Sequence, residues 1–422
     1  MKSAILWGVL LLTARVDLCH GDASSSQSIT TTSNAPRSPN AVPPADSLEQ
    51  FSADVTRVLK ELRAETYDPT VNPMFHKRNR PTFAVTWTHE MWSQQTSRWR
   101  FVNSFLYWHQ SALLKRIMPQ LLGLMVWTFF AIRIVDYETS PLSKMKFPMT
   151  SLSLVSGFVA SLLALRSNQG LSRLMEARLV FGKVVLYTRD MASIITNFIC
   201  PHHPQVALKL ARHLCLFSWV LKNFVRGKKV TGTDEDIVRV MLPSTADADY
   251  VLRQRKMPVA IVMRLRQALA HLGHGVSKHR LSTAEELAMD HTIQAMDQCI
   301  TLSEKLVASP IPPLFTTHAG RLLVFYLFFL PIALYSSGSL DARGTYVTVL
   351  AVGFAMLGLD EISHLMEQPF KLSPLYHLCK NSMRDVADAL CLRMPDLDDG
   401  KNKLYEAQAQ PYWAEGVEEL ME

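Results

Sequence analysis

Two short stretches gather the side chains that bind metals or move protons. One is Cys200-Pro201-His202-His203; the other holds Asp360, Glu361, His364 and Glu367. A metal hydrolase needs three or four such ligands converging from fixed elements. The Cys-Pro-His-His spacing matches no zinc pattern, and Pro201 breaks any helix that could align its neighbours. Asp360 and His364 stand four apart, which an ordinary pair on a helix surface explains. No nucleophile motif or phosphate-binding loop accompanies either stretch. The sequence therefore reads as that of a non-enzyme: catalytic residues none, metal none, cofactor none.

The elements that must position any site are set by how the apolar residues are distributed. Hydrophobic residues make up 48% of the 422 and charged residues 19%, against about 25% charged in a soluble domain. Mean hydropathy is only +0.07, so the apolar residues are segregated into blocks. Four blocks stand out, at 117–135, 147–165, 322–340 and 345–360, each with an uncharged core. They lack the polar stripe of a buried soluble helix and approach the roughly 20 residues that cross a bilayer. We read them as four transmembrane helices in two hairpins, with Arg116 and Arg133 snorkelling at the ends of the first.

Charge orients them. Lys77, Arg78, Arg80, Arg98, Arg100, Lys115 and Arg116 precede the first block; Arg166, Arg173, Arg178, Lys183 and Arg189 follow the second. The two hairpin turns carry few charges of mixed sign. By the positive-inside rule both termini and the middle segment lie on the cytosol-like side. That middle segment, about Arg166 to Gly320, reads as a soluble helical bundle. Ser282-Thr283-Ala284-Glu285 is a capping box, and Met289, Ile293, Met296 and Ile300 follow on one helical face. Arg212–Phe224 and Pro258–Leu272 have similar faces, divided by a turn-rich stretch, Gly227–Asp236. Pro310, Pro312 and Pro313 break the helix before the third block.

The net charge of +7 favours anionic partners. Membrane surfaces and small anions fit; nucleic acid does not, because no groove-reading motif is present. Six cysteines, five of them scattered beyond Cys19 and without a C-x-x-C pair, indicate buried thiols and no disulfide framework. Residues 1–21 read as a signal peptide, with Lys2 followed by an apolar run from Ala4 to Leu12. The stretch from Asp22 to Pro44 is rich in Ser, Thr, Ala and Pro and holds one acidic residue and one arginine. Two readings of 22–80 stand open: a disordered linker, or a transit-like segment that would complete a bipartite plastid address. Residues 396–422 form a charged C-terminal tail.

Several motifs, colinear from about Arg80 to Leu392, resemble the bestrophin family. Trp92, Trp99, Arg100, Trp108, Arg116 and Pro119 fit its entry into the first helix. Leu165-Arg166-Ser167-Asn168, then Arg173, Glu176, Arg178, Gly182 and Lys183, resemble the pattern after its second. Ser309-Pro310-Ile311-Pro312, His318-Ala319-Gly320-Arg321 and Phe328-Phe329-Leu330-Pro331 match as well. So do Met356-Leu357-Gly358-Leu359-Asp360-Glu361-Ile362 and Glu367-Gln368-Pro369-Phe370. Leu171 and Phe181 depart from it, standing where relatives carry an aromatic residue and tryptophan.

The resemblance implies an all-α membrane protein, the channel domain at 81–395, assembled as a homopentamer around one central pore. It implies a neck lined by the second transmembrane helix every four residues, which selects Thr150, Leu154 and Phe158 here. A second constriction is implied at Ser309 and Ile311. Arg166, Asn168, Arg173, Glu176 and Arg178 are family-motif residues, with the arginines either concentrating anions in the vestibule or paired to Glu176 or Asp190. Rings of apolar side chains gate by dewetting, and the neck helix carries no carboxylate that would select cations. The expected function is an anion-selective channel for chloride, with bicarbonate or nitrate as further substrates; the alternative is a non-conducting membrane scaffold or regulatory subunit. The plant branch of the family points to a plastid thylakoid membrane, with the plasma membrane or another endomembrane as the alternative. Animal relatives bind calcium through an acidic cluster after the Pro-Phe motif; Lys371-Leu372-Ser373-Pro374-Leu375 has no carboxylate, so no calcium gating is expected there.

Overall fold

The computed structural model describes residues 47–64, 89–96, 98, 102, 106, 111–136, 149–227, 231–274, 280–338 and 340–391. The expected signal peptide at 1–21 and charged tail at 396–422 lie outside them. The described residues form helices and no strands. In chain order these are α1 (Leu48–Ala64), α2 (His89–Thr96), α3 (Ala112–Asp136) and α4 (Met149–Ile194). A π turn at Ile195–Ile199 leads to α5 (Pro204–Val225), α6 (Gly232–Met241), α7 (Thr245–Arg253) and α8 (Met257–His274). The remainder are α9 (Thr283–Ala308), α10 (Pro313–Ser336), α11 (Ala342–Met366), α12 (Pro369–Leu372) and α13 (Leu375–Cys391).

Among the described residues, four helices are long and apolar enough to cross a membrane: α3, α4, α10 and α11. Three carry an apolar block along most of their length, but α4 runs for 46 residues, about 69 Å at 1.5 Å per residue. That is more than twice a hydrocarbon core of roughly 30 Å. The second block and the start of the middle segment are thus one helix, where the sequence reading had divided them at residue 165. The reason lies in the sequence: no proline occurs from Met149 to Ile194, and one stripe stays buried throughout. Leu152, Val159, Leu163, Arg166, Gly170, Leu174, Ala177, Phe181, Val184, Thr188, Met191 and Ile195 recur every three, four or seven residues. The partners of that stripe change along it, from α10 and α11 to α9, α12 and α13.

Two cores result. The first joins Leu124 of α3, Leu152, Val159 and Leu163 of α4, Leu327 and Leu330 of α10 and Val349 of α11. Close approach is possible because glycines stand at the crossings. A Cβ on Gly353 would come within 2.6 Å of Leu124, and one on Gly170 within 3.1 Å of the Met366 Cβ and 3.3 Å of the Ser363 carbonyl. Pro331 interrupts the hydrogen-bond ladder of α10. Nearby, Trp127 of α3 stacks on Phe328 and donates its indole N–H to the Phe328 carbonyl at 2.9 Å, next to the Leu327 carbonyl whose helical donor Pro331 removes. α3 packs chiefly on α10 and α11.

The second core fills the aqueous bundle, with Phe181, Met191, Phe217, Trp219, Ile261, Met289, Ile293 and Met296 fully buried. Ser282 and Glu285 form the expected capping box. Two expectations change here. Residues 48–64, inside the segment read as disordered or transit-like, form α1 and bury Phe51, Val55, Val58 and Leu62 in this core. Their helical spacing was masked by the Ser- and Pro-rich composition just before them. The stretch Gly227–Asp236 is a turn only in part, since Thr231 and Asp234 cap α6 reciprocally.

His213, in the middle of α5, is 2% exposed. Its Nδ1 donates to the Lys209 carbonyl at 2.7 Å, and its Nε2 is buried without a hydrogen bond. Burial pulls its pKa below the ordinary 6.5 despite Asp247 nearby. The unfolded chain then takes up a proton near pH 6.5 that the folded one resists, so stability falls as pH drops through that value. The slope reaches about 1.4 kcal/mol per pH unit. Thermal unfolding of the detergent-solubilised protein at pH 7.5 and 5.5 should show this loss, and H213Q should flatten it. An identical pH response in both proteins would remove His213 as its source.

Candidate functional site

The expected neck residues all lie on α4, and all are exposed on the protomer: Thr150, Leu154 at 70% and Phe158 at 69%. Only 17% of the apolar window of α4 is buried within the chain, the lowest share of the four spans. The exposed stripe does not stop where the apolar block ends. It continues through Leu165, Leu171, Met175, Leu179 and Leu186, each about half exposed or more. From residue 149 to 165 the helix carries no charge.

Eight residues beyond Phe158, and about 12 Å further along the helix, Arg166 turns inward. It is 6% exposed and bridges two carboxylates. Its Nη1 pairs with Asp360, while Nη2 and Nε reach Glu367 Oε1 at 2.8 and 2.9 Å. Ser167 meets Ser363 at 2.6 Å beside it, and Arg116 of α3 pairs with Glu361 at 3.2 Å. Burial works against the charge on Glu367, but its bonds to His364 and Arg166 hold the carboxyl below the usual range. This polar layer fastens α4 and α3 to the end of α11, between the two cores.

Arg173 is also engaged, donating to the backbone carbonyls of Ser309 at 2.5 Å and Leu306 at 2.7 Å. Neither arginine uses the partners proposed from sequence. Glu176 pairs with Lys305 at 3.6 Å and Asp190 accepts from Thr292 at 2.9 Å. Asn168 and Arg178 are exposed. Of the second pair, Ser309 is exposed and caps α9, whereas Ile311 is 7% exposed, an anchor between prolines. Leu314, which the sequence reading passed over, is 82% exposed just beyond it. Among the described residues no three His, Cys, Asp or Glu side chains are grouped to hold a metal. Asp360 and Glu367 serve Arg166 instead.

A family model described as Bacterial/Fungal Bestrophin protein matches residues 91–388. The chain belongs to the bestrophin family. Voltage-dependent chloride channel 1, chloroplastic, of Arabidopsis thaliana is 24% identical over 317 residues, 72% of each chain. A voltage-dependent anion channel-forming protein of Nostoc is 23% identical over 305 residues, covering 69% of this chain and 92% of that one. A bacterial bestrophin homologue from Klebsiella pneumoniae superposes with a TM-score of 0.59 at 22% identity, covering 66% of this chain and 100% of that one. The last likeness is one of fold.

The bestrophin motifs fall where the helices meet. Arg166, Asp360 and Glu367 make the polar layer, and Phe370 packs edge-on against Phe181 at 5.7 Å. The Pro-Phe pair opens the short α12, which Arg226 closes by donating to the carbonyls of Phe370 at 3.2 Å and Ser373 at 3.3 Å. A cationic side chain thus occupies the carbonyls of the loop in which carboxylates are missing.

Proposed function

We propose that this bestrophin is a subunit of a homopentameric anion channel, with Thr150, Leu154 and Phe158 of five α4 helices forming the neck of a central pore. The observation that carries the reading is the exposed apolar stripe of α4. In its aqueous half, Met175, Leu179 and Leu186 stand outside the core formed by the described residues, more than half exposed, and need cover from another copy. Because α4 is one helix, the contact that covers them also gathers its membrane half, where Leu154 and Phe158 stand exposed. A ring generated by a repeated head-to-tail interface closes around an axis, and that axis is the permeation path.

The neck is uncharged, so discrimination rests on dehydration cost and on the absence of carboxylates. Monovalent anions of similar size, chloride with bicarbonate or nitrate, are the substrates. The relatives named as chloride and anion channels support this, and the two relatives from Arabidopsis named as chloroplastic support a plastid membrane, within which the thylakoid is the proposed site. The chain acts as a passive conduit in the bilayer and not as an enzyme. Ser309 and Leu314 sit on the second, aqueous-side constriction.

The test is flux through purified protein in liposomes holding a halide-sensitive dye, with native mass spectrometry for stoichiometry. Quenching by inward chloride from a five-chain assembly supports the reading. An intact oligomer that passes no anion under voltage or pH steps would point instead to a scaffold or regulatory subunit.

A further inference from the structure

Arg173 was expected among the vestibule charges, but its contacts give it a different task. In a helix the carbonyl of residue i accepts from the N–H of residue i+4. Pro310 stands four residues after Leu306 and has no N–H to give, so the Leu306 carbonyl at the end of α9 lacks the donor a continued helix would supply. Ser309 is the non-helical C-cap of α9. Arg173 donates to both carbonyls, with Nη1 on Ser309 and Nη2 on Leu306. A guanidinium on the neck helix thus holds two backbone carbonyls where the chain leaves α9 for the passage to α10. Lys305 and Glu176, at 3.6 Å, add a weaker tie between the same two helices.

The placement matters because α4 is continuous. Arg173 lies 15 residues beyond Phe158 on an unbroken helix, about 22 Å away. Any tilt or rotation of α4 that changes the neck carries Arg173 with it. Ile311, in the middle of the passage, is buried at 7% exposure.

We propose that Arg173 is the positioning residue of the passage 309–313, tying it to the neck helix so that the two constrictions of one subunit move together. The inference rests on the pore reading above. It also separates from a simple electrostatic role: a vestibule charge would be replaced by lysine, whereas a fork spanning two carbonyls would not.

The experiment is a double-mutant cycle on single-channel chloride conductance of the reconstituted oligomer, with F158A reporting on the neck and S309V on the passage. In the native background the combined effect should differ at least threefold from the product of the single effects. In R173Q the effects should multiply, and in R173K the coupling should fall at least twofold even though the charge is kept. Should R173Q fail to assemble, R173K alone decides. Full coupling in R173K oligomers of native size, or in R173Q, overturns the proposal. Native oligomers without current defeat the pore reading, and this inference with it, whereas a conducting native channel with unchanged coupling defeats the inference alone.

Discussion

R166A should lower the stability of the assembled protein by about 3 kcal/mol, the low end of what breaking a buried ion pair costs. The estimate sits at the low end because the Asp360 and Glu367 side chains are 29% and 22% exposed and water screens part of the loss. Removing the guanidinium leaves the Asp360 and Glu367 carboxylates without the cation that bridges them, with only His364 beside Glu367. At roughly 2 °C per kcal/mol for a large chain, the unfolding midpoint of the detergent-solubilised oligomer falls about 6 °C. R166K recovers only part of this, since one ammonium cannot fork onto Asp360 and Glu367 together. D360N and E367Q are milder because each leaves one carboxylate on the arginine. A midpoint unchanged in R166A would mean that the polar layer does not hold α4 against α11.

F158A should do the reverse: a large effect on conduction and a small one on stability. Phe158 is 69% exposed on the protomer and Leu163, five residues further, is 1% exposed. Truncating the buried Leu163 opens a cavity and costs about 2–5 kcal/mol. Truncating Phe158 removes a ring of five phenyl groups from the narrowest part of the pore. If that ring sets a dewetting barrier, a decrease of about 1.4 kcal/mol in it raises chloride conductance tenfold. Single-channel recording of F158A and L163A together separates the two roles. Low conductance in F158A, with instability matching L163A, would place Phe158 in a packing interface and not at the pore.

The membrane helices were readable because hydropathy is a local property. Their ends were less so. α10 begins at Pro313, nine residues before the apolar block, because proline is accepted in a first helical turn and Thr316, Thr317, His318 and Arg321 are helical without being apolar. The continuity of α4 was concealed by the change from apolar to mixed residues at Arg166, although its buried stripe keeps one period across that point. α1 was concealed by its neighbours' composition. The partners of Arg166 and Arg173 lie 194 and 136 residues away in sequence, so no spacing rule could find them. One signal was available: Pro310 removes the N–H that the Leu306 carbonyl would take from a continued helix, so that carbonyl needs a donor from elsewhere.

The most direct test of the central claim is the reversal potential of the purified oligomer in a planar bilayer under a KCl gradient, with L154D alongside. The native protein should reverse near the chloride potential, and a ring of carboxylates at position 154 should move it toward potassium. A native reversal potential at zero or toward potassium, or one that L154D leaves unmoved, would contradict a chloride-conducting neck on α4.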